Sequence, residues 1–220
     1  MKTLILTNHS VNTPHETLAN LTRANKQQYA DKHGYTFASV VSNYDRAGML
    51  DGFMNLKNLL IEYERIMTVG ADVIFINHAI SLDEFEYAPL TIAREHNSFW
   101  PVNNDVLIWQ RCVQAFDIID RMIDDIDLWT QYCWYWQVHL WNLMCKEPFY
   151  KRNITVVEAR RMNSSPMRGL SEYQLGDFIV HLFGFPIEKK IELAKHYLNF
   201  AGDCDGSFDP RRFPELRQLN

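Results

Sequence analysis

Clustered positive charge is scarce in this chain. Its 22 Lys and Arg are outnumbered by 27 Asp and Glu, the net charge is -5, and the pI is about 5.9. Only two basic pairs stand out, Arg160-Arg161 and Arg211-Arg212. That excludes the electrostatic footprint of a nucleic-acid binder. Long apolar runs are missing too, and none approaches the roughly 18 residues of a membrane span. Met1 to Thr7 is apolar only briefly before Asn8-His9-Ser10, so it reads as a first strand and not as a signal peptide. Without a signal or an anchor, the expected location is cytoplasmic. The four cysteines form no CxxC and no zinc spacing. Cys112, Cys133 and Cys145 lie in helix-like apolar segments and are expected to be buried free thiols. No GxSxG, P-loop or Ser-His-Asp pattern points to a hydrolase. Four Asn-x-Ser/Thr sequons, at Asn8, Asn20, Asn153 and Asn163, read as chance occurrences in this setting.

What is present is a core. Of 220 residues, 47% are hydrophobic, enough for one globular domain over residues 1–220. Aromatic residues make up 13%, with Trp129, Trp134, Trp136 and Trp141 in one segment. A thick helical core is the favoured reading of that segment; an aromatic wall for a base or a sugar is the rival.

Strand-like and helix-like segments alternate in the first half. Leu4 to Thr7 is a strand. Thr13-Pro-His-Glu16 reads as a capping box with Pro at the first helical position, opening a helix that Gly34 ends. Tyr35 to Val41 is a strand, Asp51 to Glu64 a helix, and Ile66 to Val69 a strand. This β-α-β-α-β pattern predicts an α/β fold with a single mostly parallel (mixed) sheet flanked by helices and a Rossmann-like nucleotide-binding half. Later segments read as a short strand Val106 to Trp109 after an Asn103-Asn104-Asp105 turn, helices Arg111 to Ile126 and Thr130 to Met144, and a strand Ile154 to Val157. A loop from Met162 to Leu175, a strand Phe178 to Phe183 and a last helix opened by Pro186 follow. The tail after Gly202 is Asp-, Gly- and Pro-rich.

Two segments carry chemistry. Between the apolar runs Met67 to Val69 and Val73 to Ile76 sits one carboxylate, Asp72. Inside the apolar strand Phe178 to Phe183 sits one imidazole, His181. Each alone reads as a turn residue or a satisfied core histidine. Together they suggest two ligands for a divalent cation that holds a diphosphate. Imidazole favours Mn²⁺ over Mg²⁺ among the oxygen-loving ions. In open α/β sheets ligands bind at the carboxyl ends of strands, where Asn8, Asp72 and His181 are predicted to fall.

The segment Gln28-Tyr-Ala-Asp-Lys-His-Gly-Tyr-Thr-Phe37 resembles a signature of glycosyltransferase family 34, the galactosyl-, mannosyl- and xylosyltransferases. Lys57, the run Gly70 to Asn77, the run Asn103 to Trp109 and the run Gly176 to Gly184 are similar to that family's further motifs, in the same order. The resemblance spans residues 28 to 184. It implies a GT-A fold and a metal-dependent glycosyltransferase. The donor is a nucleotide sugar, UDP-linked by preference; the acceptor is a glycan or glycoprotein, and configuration is retained. It implies Asp72 and His181 as metal ligands. Thr7, Asn8, Lys57, Ala71, Asp72 and Gly184 surround the nucleotide, and Asn104, Asp105 and Gln137 orient the donor sugar. Were configuration inverted, Asp105 or Asp177 would be the base. The missing anchor implies a bacterial or viral relative. Two departures stand out. Gly70 replaces the first aspartate of the family's Asp-x-Asp, and Trp136 replaces the aspartate before Gln137. Gly70 favours an alternative, a non-catalytic nucleotide-sugar or glycan-binding module of the same fold. A scaffold with the tryptophan-rich helix as its interface is a third reading.

Overall fold

The computed structural model describes residues 1–41, 45–95, 101–132, 135–167, 169 and 171–202. Cys133, Trp134, Cys204, Arg211, Arg212 and the tail after Gly202 lie outside the described residues.

The first half builds as its periodicity predicts. β1 (Thr3–His9) leads into α1 (Pro14–His33), β2 (Thr36–Val41), α2 (Arg46–Glu62) and β3 (Arg65–Val69). β1 pairs in parallel with β2 on one side and β3 on the other. Gly34 closes α1 at φ 68°, a left-handed conformation that glycine adopts without a Cβ penalty. The start of α1 differs from expectation. Thr13 Oγ1 donates to the Ser10 carbonyl, and Glu16 accepts from the Asn12 amide, so no capping box forms. α2 starts earlier than its apolar stripe indicates, because Asp45 accepts from the Gly48 amide at 2.7 Å and caps it there.

The second half departs further. After β4 (Val73–Phe75) come β5 (Leu90–Arg94) and β6 (Val102–Gln110). β6 is nine residues long and takes in Asn103, Asn104 and Asp105, which were expected in a turn before it. It runs antiparallel between β3 and β5, and β7 (Ile154–Val157) adds in parallel to β5. The strand order is β2-β1-β3-β6-β5-β7, a mixed sheet. On one face, α2, α3 (Val113–Asp124), α4 (Ile126–Trp129), α5 (Tyr135–Lys146) and α6 (Pro148–Asn153) enclose a core that includes Leu4, Leu56, Trp109 and Trp129. On the other, Tyr29 and Ala30 of α1 pack on Ile5, Met67 and Val106. Within the tryptophan-rich segment Trp129 is fully buried, whereas Trp136 and Trp141 are partly buried against the same core and Trp136 also borders a cavity. Cys112 is half-buried, but Cys145 is exposed on α5, where it escapes the apolar face made by Leu140 and Leu143.

α7 (Ala159–Met162), β8 (Ile179–His181) and α8 (Ile187–Leu198) complete the chain. β8 leaves the main sheet and pairs antiparallel with β4, with His181 opposite Val73. That two-stranded sheet brings the two chemistry-bearing segments together. Among the described residues no helix is long and apolar enough to cross a membrane.

Candidate functional site

The chain leaves β3 at Val69, turns through Gly70 to Asp72, and enters β4. α1 holds this turn from behind. Thr22 Oγ1 donates to the Ala71 carbonyl at 2.8 Å, and Lys26 Nζ donates to the Gly70 carbonyl at 2.9 Å and to Thr22 Oγ1 at 3.0 Å. Lys26 is wholly buried; burial lowers its pKa to about 7, with Asp72 pulling the other way. From the front, the Leu182 amide donates to the Asp72 carbonyl at 3.0 Å. Gly70 has a steric role here. A Cβ built on it would stand 2.8 Å from Asp72 Oδ1, so the residue that departs from Asp-x-Asp leaves room for the carboxylate that remains.

Asp72, Asp105 and His181 each aim a ligand atom at one point, with those atoms all within 4.8 Å of one another. His181 Nε2 lies 3.4 Å from Asp72 Oδ1 and 3.3 Å from Asp105 Oδ2. It is buried and makes no hydrogen bond with any described residue. Its other nitrogen is fixed. Asn163 Nδ2 donates to the Arg94 carbonyl at 3.0 Å, which turns Asn163 Oδ1 toward His181 Nδ1 at 2.7 Å. Nδ1 must therefore carry a proton, and the neutral imidazole presents its lone pair at Nε2. Burial opposes the charged imidazole, but Asp72 and Asp105 outweigh it and push its pKa up to about 9. Burial likewise works against the Asp72 carboxylate, yet His181 and Lys190 hold its pKa far below the usual carboxylate range. Lys190 Nζ, from α8, sits 2.6 Å from Asp72 Oδ2. Two carboxylates and one imidazole, whose buried Nε2 is held only by ion-pair contacts of 3.3 and 3.4 Å, fit a divalent cation of the Mn²⁺ or Mg²⁺ kind.

Beside this group a cavity of about 160 Å³ opens between α2 and strands β1, β3 and β6. Gly70 and Asp105 line it, together with Asn8 and Asn104. Of the residues singled out by sequence, Asp72, Asp105 and His181 meet, while Asn8 and Asn104 are close by on the cavity wall. Ala71 contributes its carbonyl to the turn. Thr7 is buried in β1, and its hydroxyl has no partner among the described residues. Gly184 turns the chain after β8 at φ 75°. Gln137 is buried in α5 and does not line the cavity. Lys57 faces α3, where it pairs with Asp120, and does not line the cavity. Asp177 accepts from Arg160 at 2.7 Å, Ser164 Oγ at 2.7 Å and the Gln174 amide at 2.8 Å, so its oxygens are engaged.

Sequence reasoning missed the place of Asp105 beside Asp72 and His181 and the parts played by Asn163, Lys190 and Lys26. Nothing in the sequence separates Lys190 from its neighbour Lys189, which merely pairs with Glu192. The stretch Tyr29 to Tyr35 turns out to be a brace. Tyr29 stacks on Phe75 with centroids 4.0 Å apart and donates to the Ile80 carbonyl. His33 bonds the His78 carbonyl, and the Tyr35 hydroxyl meets Ser81 Oγ. All three secure the segment that follows β4.

No protein-family model and no curated protein matches the chain. Solved structures do. The crystal structure of a glycosyltransferase involved in the glycosylation of the major capsid of PBCV-1 matches with a TM-score of 0.72 at 16% identity, over 89% of this chain and 100% of that one. The glycosyltransferase GlyE of Streptococcus pneumoniae TIGR4 matches with a TM-score of 0.54 at 12% identity, over 90% of this chain and 63% of GlyE, so the chain spans under two thirds of GlyE's length. At such identities the likeness is one of fold. The chain therefore has a GT-A-like glycosyltransferase fold.

Proposed function

We propose that the protein is a metal-dependent glycosyltransferase. It moves a sugar from a nucleotide donor, UDP-linked by preference, to a glycan or glycoprotein acceptor. The observation that carries this reading is the convergence of Asp72, Asp105 and His181 on one point, with Nε2 free of hydrogen bonds, at the strand ends of a GT-A-like sheet. These three residues would hold a divalent cation, which would supply Lewis-acid stabilisation of the departing diphosphate. The chain's own residues do the rest. Asn163 keeps Nε2 unprotonated in the neutral ring. Lys26 and Thr22 keep Asp72 in place. Thr7 and Asn8, at the end of β1, border the nucleotide, and Asn104 and Asp105 contact the donor sugar. Gln137 on α5 remains a proposed sugar contact. Retention of configuration is supported by the resemblance to family 34; of the two candidate bases for inversion, Asp177 is engaged by three donors, and Asp105 stands in the group with Asp72 and His181. The leaving phosphate then takes the acceptor's proton.

The test is a thermal-shift panel of UDP and GDP, each with and without Mn²⁺, on the wild type and Asp72→Ala. A ligand that binds only the native state raises its stability by mass action. The expected result is a Mn²⁺-dependent shift with UDP that the variant loses. No shift with either nucleotide would overturn the reading.

One observation favours a second reading, the non-catalytic binding module. Lys190 already neutralises Asp72 at 2.6 Å, as a resident cation would. Mn²⁺-dependent hydrolysis of a nucleotide sugar, absent in Asp72→Ala, decides for the enzyme.

A further inference from the structure

Gly52 lies inside α2, where an alanine would favour the helix more. Its φ is not positive, so no left-handed turn requires a glycine there. Packing does not require one either. Beyond its own helix backbone and chain neighbours, a Cβ built on Gly52 meets only Asn8 Nδ2, at 3.9 Å, an ordinary van der Waals distance. Gly52 and Asn8 both line the cavity of about 160 Å³, so a longer side chain at position 52 would grow into that space. Leaving the space open is the role that remains for the glycine. The rest of the lining suits a particular kind of occupant. Phe53 and Leu56 of α2 and Trp136 of α5 offer apolar surface, and the Phe53 and Trp136 rings meet edge to face with centroids 5.3 Å apart. The side-chain amides of Asn8 and Asn104 make no hydrogen bond with any described residue. A hexopyranose matches both, with C–H faces for the rings and hydroxyls that donate to and accept from the amides. The volume is small against the roughly 300–1,000 Å³ of pockets that enclose a drug-sized ligand, and takes one ring where a nucleoside brings two or more.

We propose that Gly52 is a specificity-determining residue: by lacking a side chain it admits the hexopyranose of a UDP-linked donor to this cavity, where Asn104 bonds the sugar's hydroxyls. The assignment rests on the transferase reading, because Asp105 belongs to both the metal group and the cavity lining, and only on that reading does the cavity adjoin a diphosphate.

The experiment is titration calorimetry with Mn²⁺ of UDP, UDP-glucose, UDP-galactose and UDP-N-acetylglucosamine against the wild type, Gly52→Ala and Gly52→Leu, with a thermal melt of each protein. The wild type is expected to bind at least one UDP-sugar more tightly than UDP. Gly52→Leu should weaken that sugar nucleotide by about tenfold or more and leave UDP unchanged, with Gly52→Ala in between. Gly52→Ala should melt no lower than the wild type. Should Gly52→Leu melt lower, Gly52→Ala, which adds a single methyl, still carries the test. An equal loss for UDP and the UDP-sugar would put the nucleoside in the cavity and overturn the sugar assignment. A sugar nucleotide that binds both variants as tightly as the wild type, or no UDP-sugar that outbinds UDP, overturns the role of Gly52. No Mn²⁺-dependent binding of UDP by the wild type overturns the UDP-linked transferase reading itself.

Discussion

Two Asp–His clusters in this protein are built from the same residue types and end differently. Between α3 and α5, His139 Nε2 meets Asp125 Oδ2 at 2.8 Å, the same carboxylate pairs with Arg121, and Arg121 reaches Glu147 at 3.6 Å. That cluster saturates itself. At the junction of β3, β6 and β8, two carboxylates and an imidazole approach one point and leave Nε2 without a hydrogen bond. Nε2 is held only by ion-pair contacts of 3.3 and 3.4 Å, longer than a good hydrogen bond, and a cation at the meeting point would bond all three groups. Composition does not separate the two clusters; the state of their hydrogen bonds does.

Paired substitutions break the comparison most sharply. Asp72→Ala removes a ligand, and Mn²⁺ affinity should fall by more than ~100-fold, beyond the loss typical of a supporting residue. Asp125→Ala should leave Mn²⁺ affinity unchanged and cost about 1–3 kcal/mol of stability, since it strands a buried His139. Calorimetry and urea melts on the two variants measure both quantities. Metal binding that weakens in Asp125→Ala would erase the distinction.

Asn163→Ala comes next. It frees Nδ1, so the neutral imidazole can place its proton on Nε2. Mn²⁺ affinity should drop by roughly 10- to 100-fold, with Asn163→Asp recovering part of it because a carboxylate also accepts from Nδ1. A variant that only loses stability, with unchanged metal affinity, would reduce Asn163 to a structural residue.

The third contrast is with pH. The His181 pKa lies at about 9, above its ordinary 6.5, so at neutral pH the metal must displace a proton from Nε2. Mn²⁺ affinity should therefore rise with pH, approaching tenfold per unit, and level off near 9. Calorimetry in two buffers of different ionisation enthalpy counts the released proton. A flat affinity between about pH 6.5 and 8.5 contradicts the displacement. The smallest effect belongs to Gly70→Asp, which restores the first aspartate of Asp-x-Asp. Its Cβ falls within 2.8 Å of Asp72 Oδ1, so Mn²⁺ binding should weaken several-fold and not improve. Tighter binding by that variant would show that the turn yields.

The parallel half was legible because its order is local. The apolar stripes of α1 and α2, Gly34, and the alternating strands between them each carry their signal within a few residues. Asp72 and His181 stood out because a lone polar residue inside an apolar strand needs a reason to be there. Asp105 was noticed for its carboxylate but assigned to a turn, since its neighbours Asn103 and Asn104 read as turn formers. In the fold β6 holds them in a strand, with Asn103 bonded to Glu95 at 2.9 Å. The pairing of β4 with β8 and the Asn163–His181 bond are long-range choices of the folded chain, and no local pattern announces them. Asn163, fully buried, carried only a chance sequon.

The separation of these parts along the chain also sets a schedule. Asp72 and Asp105 leave the ribosome well before β8 and α8, which supply His181 and Lys190. Until those last elements dock on β4 and α1, the Asp72 turn has neither its imidazole nor its lysine. A growing or truncated chain that ends before β8 lacks both His181 and Lys190. On the metal-dependent reading, cation capture reports completion of the fold, and a chain arrested before residue 179 should hold Mn²⁺ no better than its scattered surface carboxylates do.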